Sequence, residues 1–192
     1  MGLRKLGDSM KSDKQIIEML KRDNDRLLAQ EECRECGGAG TLKKNDRLQT
    51  PEWVWRELGE IDLDPCAGND TVIAKTNWAI ERGENGLERD WFGFVYCNPP
   101  FSQKEIWAQK MIEHGKGILI LPERGSAPWF GPLAQAAGNY WVMGKKINFI
   151  GGTSSNNLGS ALFLFGEDAR RRVINSNLPG HFVNVEHYRA RE

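Results

Sequence analysis

Apolar residues fall into short continuous runs separated by polar, glycine- and proline-rich stretches. The run Phe94-Val95-Tyr96 stops at Cys97-Asn98-Pro99-Pro100. Proline cannot continue a hydrogen-bonded ladder, so this run predicts a buried strand that ends at Asn98 and turns. Glu105 to Glu113 has helical spacing, with Ile106, Lys110, Met111 and His114 on recurring faces. Gly117-Ile118-Leu119-Ile120-Leu121 is the next buried strand, stopped by Pro122. Strand, helix and strand in this order predict a right-handed parallel crossover, which brings Asn98 and Arg124 to the same sheet edge. A helix from Trp129 to Ala137 follows. Three strand-like runs come next: Tyr140 to Met143, Ile147 to Ile150 and Ala161 to Phe165. Arg170-Arg171-Arg172 lies on a terminal helix as a solvated face. Upstream, Thr50 as N-cap and Pro51 at the first helical position predict a helix through about Gly59, with Trp55 and Leu58 buried. A strand from Ile61 to Asp64 comes next. Residues 71–89 are polar and irregular, and their pattern predicts no element. The sum is an α/β domain.

The first 46 residues read differently. Ile17, Leu20, Asn24 and Leu27 fall at a, d, a and d of two heptads, and an Asn at an a position sets register in two-stranded coils. This points to a helical arm that could form a homodimer; an amphipathic helix packed on its own domain is the plainer alternative. Cys33 and Cys36, two residues apart and followed by glycines, resemble half of a zinc knuckle. No other ligands have matching spacing, so a closed zinc site would take Cys33 and Cys36 from each of two chains; a flexible turn or a labile thiol pair are the alternatives. The expected domains are therefore residues 1–46, an arm with the knuckle and linker, and 47–192.

Composition narrows the class without naming a chemistry. With 192 residues, 40% hydrophobic and 27% charged, the chain suits a globular domain with an appendage. No run is long enough to predict a membrane span, and the polar amino terminus does not read as a secretory signal. Four scattered cysteines show no disulfide framework, which favours a reducing, cytoplasmic setting. Net charge is zero but uneven: +2 over residues 1–50, −6 over 51–100 and +4 over 101–192. An acidic segment suits a cationic cofactor, and a basic one a polyanion.

Candidate chemistry gathers where the strands end. The Ile61–Asp64 run leads into Pro65-Cys66-Ala67-Gly68. In α/β folds an acid followed by small residues at a strand end receives a nucleoside cofactor. Asn98 to Phe101 offers an amide oxygen, the Pro99 carbonyl held by Pro100, and an aromatic ring. This set suits methyl transfer to an exocyclic amine on a flat ring. Two acceptors pulling on its hydrogens move the nitrogen toward tetrahedral geometry, while Phe101 stacks on a flipped base. Asp90-Trp91 could bind the amino group and face of a cofactor adenine. Arg124, Lys145 and Lys146 could meet phosphates, and Asn156 and Asn157, in the glycine-rich loop Gly151 to Gly159, could reach base edges.

Together Thr50-Pro51, Asp62 to Ala67, Asp90-Trp91, Cys97 to Phe101, Leu121 to Arg124 and Trp129-Phe130 resemble the phage-type, Dam-like DNA N-6-adenine methyltransferase family over about residues 48–165. The resemblance implies a Rossmann-like sheet, S-adenosylmethionine as donor and double-stranded DNA as substrate, in the host cytoplasm if the gene is a phage's. Asp64 to Gly68 would form the first cofactor loop, with Thr50 and Pro51 near the methionine end and Asp90 near the adenine. Asn98 to Phe101 would act on the flipped adenine. Only 34 residues separate Asp64 from Asn98, so the sheet must be a shortened one. The ribose-binding acid is left unassigned, with Glu84 and Glu88 as candidates. Methylation of protein glutamine or of cytosine N4 stays open, as does a non-catalytic DNA-binding or zinc-assembled protein on a degenerate methyltransferase fold.

Overall fold

A computed structural model describes Glu18, residues 48–151 and residues 159–185. The heptads, Cys33, Cys36, Asn156 and Asn157 lie outside these residues. The described residues form a seven-stranded sheet of order β2-β1-β3-β4-β6-β5-β7. Its strands are β1 (Leu63–Asp64), β2 (Thr76–Asn77), β3 (Val95–Cys97), β4 (Gly117–Pro122), β5 (Gly138–Val142), β6 (Ser160–Phe165) and β7 (Gly180–Val183). The helices are α1 (Glu52–Trp55), continued by a 3-10 turn Arg56–Leu58, then α2 (Lys104–His114), α3 (Phe130–Ala136) and α4 (Gly166–Ile174).

Strands β2, β1, β3 and β4 are parallel neighbours. Strand β6 runs antiparallel between β4 and β5, and β7 lies antiparallel along β5. The strand–helix–strand unit β3-α2-β4 supplies the expected parallel crossover. Every residue of β4 and of β6 is buried, as continuous apolar strands covered on both faces must be. Alternation along these strands feeds two cores. Val95, Cys97, Leu119, Leu121 and Phe163 meet Trp107 and Met111 of α2 and Phe130 and Leu133 of α3. Tyr96, Ile118, Ile120, Leu162 and Leu164 meet Val54, Leu58, Ala169 and Val173 on the opposite face. Gly117 is required where β4 begins: a β-carbon there would stand 2.2 Å from the Val95 carbonyl oxygen.

Several boundaries depart from the sequence expectations. Pro51, with extended backbone, is the N-cap of α1, and the Thr50 hydroxyl serves a different partner. Leu58 is buried as expected, but Trp55 is only partly so, and Val54 takes the inner position. The run Ile147 to Ile150 is not a strand of the sheet; Ile150 makes one isolated bridge with Gln49. Strand β2 occupies a stretch with no periodic pattern, and β7 follows the last predicted helix. Between Asp64 and the start of β3 the chain thus accommodates one two-residue strand and a 3-10 turn (Ile80–Arg82), a shortened path with no α-helix.

Candidate active site

The chain leaves β1 for β2 on one side, while β3 and β4 build the sheet on the other. Strand order therefore reverses between β1 and β3, and loops leaving their carboxyl ends diverge to open a crevice, the usual ligand position in open α/β sheets. Strand β1 ends at Asp64 and β3 ends at Cys97, immediately before Asn98.

On the β1 side, Asp64 is 3% exposed and its Oδ1 accepts the Cys66 N–H at 3.1 Å. Burial pushes its carboxyl up to about 7, against the lowering effect of that hydrogen bond. Pro65 and Ala67 are buried, and Cys66 is partly so. The Cys66 Sγ lies 3.4 Å from the Cys97 Sγ, and burial pushes both thiols up. The backbone N–H of Asn98 works against that rise at Cys66, and the sulfur–sulfur contact joins the two strand ends across the crevice. At Gly68 the backbone runs close beneath other groups. A β-carbon there would lie 2.9 Å from Gln49 Nε2 and 3.0 Å from Thr71 Oγ1. Thr71 Oγ1 is buried without a hydrogen-bond partner.

On the β3 side, the Asn98 amide is oriented by its surroundings. Its Nδ2 donates to the Leu48 carbonyl at 2.8 Å. A carbonyl can only accept, so the amide oxygen must face the other way. That Oδ1 is buried and has no partner in the protein. Such an acceptor costs about 1–3 kcal/mol unless a ligand supplies a donor. Pro99 and Pro100 are buried, and Phe101 opens a short 3-10 turn that leads into α2. The Phe101 ring meets Phe149 edge-on, with centroids 5.9 Å apart and planes at 85°. Thr50 is buried beside this group, its Oγ1 accepting the Tyr96 hydroxyl at 3.1 Å, and Pro51 follows it at the start of α1. Burial holds the Tyr96 hydroxyl well above its ordinary range.

Other candidates are placed less centrally. Asp90 is exposed, in the segment that leads into the amino-terminal start of β3. Its neighbour Trp91 stacks on Trp107 at 6.1 Å and donates from Nε1 to the Gly86 carbonyl at 2.8 Å. Glu84 accepts from the Ala79 N–H and from Arg82, and the backbone hydrogen bond holds its carboxyl below the usual range. Glu88 accepts from the Asn85 side chain at 2.7 Å. Both acids thus serve local turns. Arg124 is exposed just beyond the end of β4, and Lys145 and Lys146 are exposed beyond β5. The Lys145 ammonium sits 4.1 Å above the Trp53 ring. Among the described residues, no group of three or more His, Cys, Asp or Glu side chains is arranged to hold a metal.

Leu48, Gln49, Thr71 and Phe149 belong to the site, and the sequence alone assigns none of them a site role. Leu48 acts through its carbonyl, which carries no side-chain signal. Phe149 lies within a run whose apolar character suggested a strand.

A family model described as DNA N-6-adenine-methyltransferase (Dam) matches residues 39–180. The chain is also 29% identical over 152 residues to a DNA N-6-adenine-methyltransferase of Escherichia phage T1, covering 73% of this chain and 62% of that relative. It therefore spans less than two thirds of that relative's length. No solved structure matches it. The family match covers the switch point, both strand-end loops and strands β1 to β6, and on that basis the chain belongs to the DNA N-6-adenine-methyltransferase (Dam) family.

Proposed function

We propose that this protein methylates the N6 nitrogen of adenine in double-stranded DNA, with S-adenosylmethionine as the donor. The observation that carries this reading is the unpartnered, buried Asn98 Oδ1 at the switch point. It is an acceptor already aimed by the Leu48 carbonyl, so little reorientation is needed when a donor arrives.

The residues at the end of β1 fit the cofactor. Asp64 is a buried acid, Thr71 Oγ1 lacks a partner, and Gly68 lets the loop backbone pass close to the Gln49 and Thr71 side chains, where a β-carbon would crowd them. Asp64 to Gly68 and Thr50-Pro51 would hold it. When bound, it supplies an electrophilic methyl group at a sulfonium. Asn98 Oδ1 and the Pro99 carbonyl would accept the two N6 hydrogens, raising the nucleophilicity of the amine. Phe101 would stack on the extruded base, with Phe149 bracing that ring edge-on. Arg124, Lys145 and Lys146 would meet phosphates, and Asn156 and Asn157 would read bases. Asp90 is kept as a contact to the cofactor adenine.

The test is labelled methyl transfer from S-adenosylmethionine to unmodified double-stranded DNA, followed by nucleoside digestion. Label in N6-methyladenine is expected; label in cytosine, or in protein glutamine only, would overturn the proposal. For the amino-terminal arm, the proposal is a homodimer closed by one zinc shared between Cys33 and Cys36 of each chain. Metal content of one zinc per two chains, reduced together with self-association in Cys36→Ser, tests it.

A further inference from the structure

Three consecutive residues ahead of α1 reach Asn98, Ile150, the cofactor loop at Gly68 and β3. The Leu48 carbonyl accepts from Asn98 Nδ2 at 2.8 Å. The Gln49 backbone N–H donates to the Ile150 carbonyl at 3.0 Å, and the Ile150 N–H returns to the Gln49 carbonyl at 2.9 Å. The Gln49 side-chain amide meanwhile lies against Gly68 of the cofactor loop. Thr50 Oγ1 takes the hydroxyl of Tyr96, in the middle of β3.

The Leu48 carbonyl and the Gln49 N–H belong to one planar, trans peptide and point in opposite directions. One side of that plane is fixed to Ile150 and the other is aimed at Asn98. Rotating the plane withdraws the carbonyl from Nδ2, and Asn98 Oδ1 then loses the direction that makes it an acceptor for substrate. Ile150 closes the segment that carries Lys145, Lys146 and Phe149, so displacement of that segment reaches Asn98 through a single rigid unit.

We infer that Gln49 is a positioning residue for the transfer step: the Leu48–Gln49 peptide plane, held by the Ile150 carbonyl, orients the Asn98 amide. The inference rests on the proposed methyl transfer for the step being positioned, but the hydrogen-bond chain can be tested without it.

Gln49→Pro removes the N–H that holds the plane. Ile150→Pro removes the other bond of the same two-bond bridge, from the Ile150 N–H to the Gln49 carbonyl of the next peptide, so the Ile150 carbonyl is no longer held opposite Gln49. Ile150→Ala keeps both backbone groups and changes only a side chain that is 56% exposed. Single-turnover transfer at saturating cofactor and DNA should fall about tenfold or more in either proline variant, with the dissociation constants for both ligands within about twofold. The Ile150→Ala variant should stay within about twofold of wild type throughout. Thermal unfolding confirms that each variant is folded, and the second proline variant serves if the first is not. A readout independent of activity is the side-chain amide cross-peak of Asn98 in 15N-labelled protein, assigned by its loss in Asn98→Ala. This peak should move in the proline variants and stay in Ile150→Ala. Wild-type turnover or an unmoved cross-peak in a folded proline variant would overturn the inference. If wild-type protein transfers no methyl group to adenine, the proposed function fails, and the cross-peak alone decides: movement upholds the tie and no movement refutes it.

Discussion

The two halves of the sheet are built to different ends. Strands β4, β6 and β5 run for six, six and five residues and pair along their whole length, with every side chain of the first two buried. Strands β2, β1 and β3 run for two, two and three residues and then break into loops. The long half satisfies its backbone polar groups within ladders and its apolar groups within two cores, and its own unpartnered buried atoms, Asn139 Oδ1 and Trp141 Nε1, lie on β5, away from the strand-end loops. The short half leaves Asn98 Oδ1 and Thr71 Oγ1 buried without partners, and Asp64 buried with its ionised form disfavoured. Brief parallel strands let each loop begin near the middle of the sheet, where neighbouring strands hold its first residues rigid. Stability is concentrated in one half and chemistry in the other.

The division predicts that variants will sort by half. The largest loss of stability is expected in the long half. Phe163 is fully buried and meets Phe130 at 5.4 Å, so Phe163→Ala should cost about 3–5 kcal/mol in chemical unfolding. Its folded fraction should retain the wild-type transfer rate per active molecule.

Asp64 should show the pH dependence of a buried acid, opposite in sign to that of a paired surface carboxylate. Its carboxyl ionises near 3.8 when unfolded and at about 7 when folded, so the unfolded chain loses its proton first. The stability this group contributes is fully present below pH 3.8 and is lost as pH rises through about 7. Measured against Asp64→Asn, the wild-type protein without cofactor should lose on the order of a few kcal/mol between pH 4 and 8. A constant difference between the two across that range would break the comparison. If the cofactor needs the carboxylate, its affinity for wild type should also strengthen as pH rises through about 7, and Asp64→Asn should show no such rise.

Phe101 sharpens the comparison on the chemical side. Phe101→Ala should lose about 1–3 kcal/mol of substrate stacking, and Phe101→Trp should lose less. Transfer kinetics should register the change, with unfolding moving little because the ring is only partly buried. The smallest effect belongs to the exposed rim. Replacing Lys145 and Lys146 together by Ala should flatten the slope of log K against log salt for DNA binding by roughly 2, alike on all sequences. An unchanged slope would place DNA on another face.

The same division explains what could be seen in the chain beforehand. Long apolar runs punctuated by proline and glycine announce themselves, so β3, α2, β4 and β6 and the crossover joining the first three were legible, together with Asn98 at the edge they define. Strand β2 was not, because two half-buried residues at a sheet margin carry no period. Thr50 has a capping residue's chemistry and stands before a helix, yet the buried hydroxyl of Tyr96, 46 residues along the chain, claims it. The hold on Asn98 was invisible for a deeper reason: it is a backbone carbonyl, which every residue possesses. Ile147 to Ile150 has the composition of a strand, but Ile147 is buried, Phe149 is half-buried against the same core, and Ile150 uses its backbone to bridge Gln49.

The most direct measurement takes Asn98→Ala and Phe163→Ala through one pair of experiments: equilibrium unfolding, and single-turnover methyl transfer to DNA with cofactor affinity measured by calorimetry. Asn98→Ala should unfold close to wild type and bind S-adenosylmethionine within about twofold, while transfer falls by roughly 10²–10³ or more, as for loss of a preorganised transition-state contact. Phe163→Ala should unfold early and still transfer. Wild-type transfer by Asn98→Ala would contradict the account.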